Sequence, residues 1–498
     1  MKDISQLPDA HLRIFERPEL PDPASLEDAY LIGICGTGMG SMAGLLQEAG
    51  YRVRGSDTGA WPPMSTRLAE LGIPVSEGYR TENLDPAPGL VVVGNACTPT
   101  HVEAAHARES GLVQGSFPET LARYFLSDRR SLVIAGTHGK TTTTSLLVHA
   151  LRSAGLDPGF LVGGVMMNGN QSYAIGTGRH FVVEGDEYDS AYFDKRPKFL
   201  HYRPDVGVVT SMEFDHADIY EGWEDYREAF RLFAASVGPE GQLILNGDDA
   251  EVMALSHWCN GSVTTYGLTS DAHVRAVDIT TVPGGQQFRL MAWGEDLGIF
   301  RLPLSGRHNL ANTLAILAVS LGEGVRVDAL RNGLQTFAGI KRRQEIRGEA
   351  DGVVVVDDFA HHPTAVRATL QAARERWPDR RLVSVFEPRS NSSRRSVFQQ
   401  GYEDAFSASD SLFISSPPFR HNDRAGDFMD VHALVEAVGA SGTHAQVASS
   451  ADELLDPLMN HLQPGDVAVI MSNGGFGGIH DKVLSALRVR STAPETVR

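Results

Sequence analysis

The stretch Ile134-Ala-Gly-Thr-His-Gly-Lys-Thr141 decides the fold of the middle of this chain. It follows an apolar, strand-like run and precedes Thr142-Thr-Thr-Ser-Leu-Leu147, which is typical of the start of a helix. In a phosphate-binding loop, glycines let backbone N–H groups converge on oxygens, a lysine bridges phosphates and a hydroxyl ligates Mg²⁺. The residues predicted to bind a nucleoside triphosphate are Gly136, Thr137, His138, Gly139, Lys140, Thr141 and Thr142.

This stretch departs from the standard phosphate-loop pattern, because the residue five positions before Gly139 is Ile134 and not a glycine. The alternative interpretation is a glycine-capped turn with a solvated lysine. Only six of the 44 basic residues are lysines. In a chain that prefers arginine so strongly, a lysine at position 140 favours the phosphate-binding interpretation.

Carboxylates follow two further strand-like runs within the next 80 residues. Val182-Val-Glu-Gly-Asp-Glu187 places Glu184 or Glu187 where either could face Mg²⁺. Ser211-Met-Glu-Phe-Asp-His216 follows the other run, and His216 could ligate a metal or position a phosphate. Each cluster alone could be a solvated acidic turn. Together with the phosphate loop, they predict a metal–nucleotide site.

A second glycine-rich turn lies near the amino terminus, at Gly33-Ile-Cys-Gly-Thr-Gly-Met-Gly40. Gly55-Ser-Asp57 ends the next strand-like run, in the manner of a dinucleotide fingerprint. The pattern predicts a site for a diphosphate-bearing ligand, and the alternative is a tight turn without a ligand. A nicotinamide-dependent oxidoreductase would use the same fingerprint, and stabilisation by NAD(H) without stabilisation by ATP-Mg²⁺ would reveal it. A non-catalytic ATP sensor would bind ATP but release no phosphate.

Polar clusters recur in the second half of the chain. Asn309 lies at the start of an alanine-rich helix and could cap it or contact a nucleotide. Lys341-Arg-Arg343 could complete a phosphate site, and Asp357-Asp358 precedes His361-His362. Phe386-Glu-Pro-Arg-Ser-Asn391 offers a guanidinium and an amide, which suit the binding of a carboxylate.

Length and composition narrow the class of protein. The length of 498 residues predicts about three domains. The net charge of −18 argues against sequence-independent binding of nucleic acid. The sequence contains no run long and apolar enough for a membrane helix and no secretory signal. Three scattered cysteines predict neither a disulfide framework nor a cysteine zinc site, so a reducing cytoplasm is expected.

Three strand–turn–helix units predict an α/β fold with parallel sheets, whose carboxyl-end turns collect ligands. We expect a polar extension at residues 1–28, which tethers rather than folds. The expected domains are residues 29–127, 128–339 and 340–498.

These motifs, in this order, resemble the Mur ligase family of peptidoglycan synthesis and recycling, from Leu31 to His480. The family's own phosphate loop also lacks the first glycine of the standard pattern, so the resemblance accounts for that departure. The other motifs that carry it are Glu184-Gly-Asp-Glu-Tyr-Asp189, Phe193-Asp-Lys-Arg-Pro-Lys-Phe199, Asp357-Asp-Phe-Ala-His-His-Pro363, Phe386-Glu-Pro-Arg-Ser-Asn391 and Ser472-Asn-Gly-Gly-Phe-Gly-Gly478. It implies a Rossmann-like UDP-sugar domain, a central P-loop ATPase domain and a Rossmann-like C-terminal domain for the incoming amine.

The resemblance also implies an ATP- and Mg²⁺-dependent ligase. The motifs look most like the branch that joins UDP-N-acetylmuramate to the recycled tripeptide L-alanyl-γ-D-glutamyl-meso-diaminopimelate. The alternative is the branch that adds L-alanine to the same sugar nucleotide. In either case the reaction passes through an acyl phosphate.

The resemblance assigns roles to residues of all three domains. The catalytic residues would be Lys140, Glu184 and His216, with Mg²⁺ held by Thr141, Glu184 and His216. Nucleotide contacts beyond the phosphate loop would come from Asn309, Arg343 and Asp358. Substrate contacts would come from Gly36, Gly38, Ser56 and Asp57 to the UDP portion, and from His361, Arg389 and Asn391 to the peptide.

One departure from the family concerns the second metal. Several Mur ligases hold it through a carbamylated lysine, but Arg231 falls near that position, and no lysine occurs between Lys198 and Lys341. Arginine cannot be carbamylated in this way. His216 is therefore the candidate ligand.

Overall fold

The computed structural model describes residues 3–59, 64–215, 219–417 and 428–492. Within these ranges the strands form three large sheets and one two-stranded hairpin. No helix in these ranges combines the length and apolarity needed to cross a bilayer.

The first sheet is entirely parallel, with the strand order β3-β2-β1-β4-β5. This order matches the first five strands of a Rossmann fold, in which ligands bind at the carboxyl ends of the strands. The elements up to the end of this sheet are α1 (Ala10–Arg13), β1 (Asp28–Ile32), α2 (Thr37–Glu48), β2 (Arg52–Asp57), α3 (Met64–Glu70), β3 (Val75–Glu77), β4 (Leu90–Val93), α4 (Val102–Glu109), β5 (Gln114–Ser116) and α5 (Phe117–Leu121).

The central sheet has ten strands in the order β17-β16-β15-β14-β13-β12-β6-β9-β7-β8. Its elements are β6 (Arg130–Ala135), α6 (Lys140–Ser153), β7 (Gly159–Met166), β8 (Gln171–Ala174), β9 (His180–Gly185), the hairpin strands β10 (Asp189–Ala191) and β11 (Asp194–Pro197), β12 (Val206–Val209), α7 (Trp223–Ser236), β13 (Gln242–Asn246), α8 (Ala250–Ala254), β14 (Ser262–Gly267), β15 (Val274–Val282), β16 (Gly285–Ala292), β17 (Glu295–Leu302), α9 (Arg307–Gly322) and α10 (Val327–Gln335). Because β6 pairs in parallel with both β9 and β12, the three clusters that follow these strands lie side by side.

The third sheet has the order β18-β19-β23-β20-β21-β22, and β18 is its one antiparallel strand. Its elements are β18 (Glu345–Ala350), β19 (Val353–Asp358), α11 (Pro363–Arg376), β20 (Leu382–Phe386), α12 (Gln399–Ala405), β21 (Ser411–Ser415), α13 (Val431–Ala440), β22 (His444–Ala448), α14 (Ala451–His461), β23 (Val467–Met471) and α15 (Ile479–Thr492). Both faces of β19 are buried, as expected for a parallel strand covered by helices. The predicted three-domain α/β architecture is therefore confirmed, whereas the exact boundaries at 127/128 and 339/340 stay a division that we propose.

Residues 13–17 of the amino-terminal segment pack against other parts of the chain. The expectation that this segment tethers rather than folds is therefore wrong for these residues. The Phe15 ring stacks on Tyr192, with ring centroids 6.2 Å apart, and meets Phe193 edge-on at 6.0 Å. Arg17 lies 4.2 Å from the Phe193 ring centroid and donates two hydrogen bonds of 2.9 Å to Glu119. Aromatic and cationic side chains therefore anchor a polar segment to both the first domain and the β10–β11 hairpin.

A Phe15→Ala/Arg17→Ala double variant is expected to lose about 2 kcal/mol of stability or more, because an aromatic cluster, two cation–π contacts and the Arg17–Glu119 ion pair are removed. Thermal denaturation and proteolysis of the hairpin would measure the loss. Ile14→Ala is the matched control, since 59% of Ile14 is exposed and its removal should cost little. Equal destabilisation by the control would refute the anchoring role.

Candidate functional site

The phosphate loop is closely packed between the end of β12 and helix α9. Gly136 has φ +130°, and an added Cβ would lie 2.1 Å from Thr210 Oγ1. Gly139 has φ +84°, and an added Cβ would lie 2.5 Å from Asn312 Oδ1. Both positions therefore require glycine for conformation as well as for space.

Lys140 is the first residue of α6, and its ammonium points back across the loop. Lys140 Nζ donates to Gly136 O and to Glu187 Oε2, each at 2.7 Å. Burial alone would lower the pKa of Lys140. The nearby carboxylates of Glu187 and Asp186 outweigh this effect and raise the pKa. The lysine is therefore held as a cation at the mouth of the phosphate loop.

Thr141 and Glu184, two of the residues predicted to hold Mg²⁺, are in direct contact. Thr141 Oγ1 donates to Glu184 Oε2 at 3.1 Å, and the Gly163 N–H donates to Glu184 Oε1 at 2.6 Å. Burial, and next the charge of Asp186, raise the pKa of Glu184 to about 6. A hydroxyl and a buried carboxylate at the start of a helix fit the oxygen donors that Mg²⁺ takes. Thr142, the next residue, is buried within α6.

His216, the predicted ligand of the second metal, lies outside the described residues. Arg231 pairs with Glu228 at 3.2 Å and lies over the Trp258 ring, 5.4 Å from its centroid. Its guanidinium is thus engaged by Glu228 and Trp258. The second-metal prediction stays a prediction.

The backbone and side chains of Thr137 and His138 bind the loop after β12. Thr137 Oγ1 contacts the Glu213 carbonyl oxygen at 3.0 Å and the Tyr226 hydroxyl at 2.8 Å. His138 Nε2 lies 2.9 Å from Glu213 Oε2. Burial raises the pKa of Glu213, but His138, His362 and Thr364 together outweigh this effect and lower it.

The third domain reaches the phosphate loop through Arg343. Arg343 Nη2 donates to Thr141 Oγ1 at 3.4 Å, and the carboxylate of Asp358 lies near enough to act on the guanidinium pKa. Asp358 itself accepts hydrogen bonds from the N–H groups of Gln344, at 2.8 Å, and Ala360, at 2.7 Å. Arg343 is therefore close to the predicted nucleotide, and Asp358 fixes the turn that presents it.

Asn309 closes the turn at the start of α9, and its predicted nucleotide contact stays a prediction. Its amide donates to Ser305 O at 2.8 Å, within the turn that begins α9. Asn312, one turn later, packs against Gly139. Sequence reasoning missed Asn312, although Arg307-His-Asn-Leu-Ala-Asn312 contains both amides at helical spacing.

Residues predicted to bind the peptide line one edge of the third sheet, where β19, β20 and β23 end. His361 Nδ1 lies 3.1 Å from Phe359 O, and burial lowers the pKa of His361 to about 4. Arg389 follows β20, 3.9 Å from Glu387, and lies against Gly474 after β23. Asn391 accepts from Arg394 at 3.3 Å. The sheet order brings these side chains to one edge.

The amino-terminal glycine turn is held by the residues predicted with it. Asp57 accepts from the N–H groups of Cys35, at 2.9 Å, and Gly59, at 3.0 Å. Gly36 caps α2, and Gly38 packs against Phe117. The buried Ser56 hydroxyl donates to Glu103. Asp57 and Ser56 thus shape the turn, while Gly36 and Gly38 keep it free of side chains.

Comparison with known proteins places most of the chain in one family. Residues 28–129 match the Mur ligase family catalytic domain, residues 134–320 the Mur ligase middle domain, and residues 342–474 the Mur ligase glutamate ligase domain. Over 473 residues the chain is 36% identical to a ligase of Escherichia coli strain K12, covering 94% of this chain and 99% of the relative. The chain belongs to the Mur ligase family, and it is an ATP-dependent, amide-bond-forming ligase.

The Escherichia coli relative is named UDP-N-acetylmuramate–L-alanyl-γ-D-glutamyl-meso-2,6-diaminoheptandioate ligase. A solved murein peptide ligase from Psychrobacter arcticus superposes with a TM-score of 0.70 at 34% identity, covering 93% of this chain and 99% of that one. A UDP-N-acetylmuramate–L-alanine ligase of Lactobacillus delbrueckii is 36% identical over 411 residues, covering 82% of this chain and 89% of the relative. Relatives of both predicted branches therefore share most of the chain.

Proposed function

We propose that this ligase joins UDP-N-acetylmuramate to the tripeptide L-alanyl-γ-D-glutamyl-meso-diaminopimelate, using ATP and Mg²⁺. The observation that carries the proposal is the meeting of Lys140, Thr141 and Glu184 at the phosphate loop, with Arg343 of the third domain reaching the same hydroxyl. Relatives that cover nearly the whole chain and are named for this reaction support the choice of substrates.

A free carboxylate is a poor electrophile, so an amide cannot form from it in water without activation. In the proposed mechanism, an oxygen of the sugar-acid carboxylate attacks the γ-phosphorus of ATP, and ADP leaves. The peptide amine then attacks the acyl carbon, and phosphate leaves from the tetrahedral intermediate. Catalysis in such phosphoryl transfers rests on positioning and charge neutralisation.

The residues of this chain supply both requirements. Lys140 would bind the β- and γ-phosphate oxygens, and Arg343 would add positive charge from the third domain. Thr141 and Glu184 would hold Mg²⁺, which when bound neutralises phosphate charge. Because the groups come from separate domains, closure of the cleft should precede chemistry and exclude water.

The acceptor amine separates the proposal from its alternative, the UDP-N-acetylmuramate–L-alanine ligase. The purified protein would receive ATP, Mg²⁺ and UDP-N-acetylmuramate with either the tripeptide or L-alanine. Phosphate release should be at least about tenfold faster with the tripeptide, the value of one good charged contact to its distal carboxylate. Faster release with L-alanine would favour the alternative, and no release with either amine would refute both.

A further inference from the structure

Lys198 is a buried cation between the first and central domains. It follows β11 and is only 8% exposed. Its Nζ lies 4.2 Å from the centroid of the Tyr188 ring and 5.1 Å from that of the Phe117 ring. The Asp186 carboxylate is 3.6 Å away, which is too long for a direct hydrogen bond. Such an ammonium is costly to bury and favours a further anion.

The surroundings of Lys198 connect the two predicted binding sites. Phe117 begins α5 of the first domain, and its ring would lie 3.6 Å from a Cβ added at Gly38, in the glycine turn. On the other side, Asp186 directly follows β9 and precedes Glu187, whose carboxylate pairs with Lys140 at 2.7 Å. Lys198 therefore lies between the turn predicted to hold the UDP portion and the phosphate loop.

The charge around Lys198 is incompletely balanced by direct contacts. In the ranges that the structure describes, Asp186 is its one carboxylate partner within 4.0 Å. Burial lowers the pKa of Lys198, and the charges of Asp186 and, more weakly, of Asp189 and Glu187 oppose that shift without reversing it. An ammonium has three donors, and the two flanking rings offer only their faces. A substrate carboxylate at this position would accept hydrogen bonds from the ammonium and add a second negative charge beside it.

We propose that Lys198 binds the carboxylate of the sugar-acid substrate and holds it beside the phosphate loop. Lys198 would then be the residue that distinguishes UDP-N-acetylmuramate from UDP-N-acetylglucosamine, which lacks the lactyl carboxylate. This inference rests on the proposed function and adds to it a specificity-determining residue. The competing explanation is that Lys198 serves only as the counter-ion of Asp186.

Affinities of two ligands for the unaltered protein and one variant, measured without ATP, test the proposal independently of catalysis. Calorimetry would measure the affinities of UDP-N-acetylmuramate and UDP-N-acetylglucosamine for the unaltered protein and for Lys198→Met. The unaltered protein should prefer the muramate by at least about tenfold, as expected for one buried charged pair, and Lys198→Met should bind both ligands equally. Lys195→Met is the matched control, because Lys195 lies on the same hairpin and pairs with Asp189. It should keep the preference.

Each other outcome has a defined meaning. If Lys198→Met weakens both ligands by the same factor, or leaves the preference intact, Lys198 is structural and the proposal is overturned. If the unaltered protein binds no UDP-N-acetylmuramate, it is the proposed function that fails. Should Lys198→Met not fold, Asp186→Asn/Lys198→Met removes both members of the buried pair, and loss of the preference in that variant would support the proposal equally well.

Discussion

Replacing Lys140 by alanine is expected to lower the rate of phosphate release by about 10³-fold or more, because it removes the cation that would stabilise charge on the transferred phosphoryl group. The affinity for UDP-N-acetylmuramate should stay within about twofold of the original, the range expected for a site without shared contacts. Calorimetry and a phosphate-release assay measure the two effects separately.

The control for this variant addresses Glu187, whose buried carboxylate pairs with Lys140. A Lys140→Ala/Glu187→Gln variant relieves the buried charge and should restore stability without restoring turnover. Phosphate release at an unchanged rate in Lys140→Ala would remove the phosphate-loop assignment. A rate lost in the single variant but recovered in the double variant would instead make Lys140 a structural partner of Glu187.

Replacing Glu184 by glutamine is expected to reduce turnover by about 10²-fold or more at neutral pH, because the negatively charged oxygen ligand for Mg²⁺ is lost. The pH profile gives a second signature. The pKa of Glu184 is raised to about 6, so its carboxylate is charged above that pH and protonated below it. Turnover at low Mg²⁺ concentration should therefore fall as the pH is lowered through about 6.

The same shift makes a prediction for the metal-free protein. The folded state holds the Glu184 proton more tightly than the usual value of 4.5 allows, so this group stabilises the fold below that value, and its contribution is lost as the pH rises towards 6. Glu184→Gln should remove this component from the stability profile. Denaturation at about pH 4 and about pH 7.5 measures it, and an identical pH dependence in both proteins would contradict the assignment. Thr142→Ser, a conservative change beside the site, should keep the original profile.

The sequence was sufficient to predict the phosphate loop and its neighbours because local chemistry determines them. Gly136 and Gly139 are required by positive φ and by close approach, and strand–turn–helix order places Thr141 near Glu184 in a parallel sheet. The residue pattern alone left Glu184 and Glu187 as alternatives, and only the family resemblance selected Glu184 for Mg²⁺. Both carboxylates end one strand, but Glu184 contacts the threonine and Glu187 the lysine.

Contacts between residues that are far apart in the chain could not be predicted from the sequence, for a different reason. Asn309 and Asn312 occupy the same helix start, and only the packing of α9 decides that Asn312 meets Gly139. The amino-terminal segment contains too few apolar residues to predict folding, yet Phe15 and Arg17 find an aromatic surface that the hairpin creates. Partners separated by many residues become visible only once the chain is folded.

Two hydroxyl groups of the third domain rest on carboxylates of the central domain. Thr364 Oγ1 donates to Glu213 Oε1 at 2.7 Å, and the Ser392 hydroxyl donates to Asp215. Each such bond contributes no more than about 3 kcal/mol. We therefore expect these two contacts alone not to hold the cleft closed, so that domain opening on the microsecond-to-millisecond scale would admit a large acceptor.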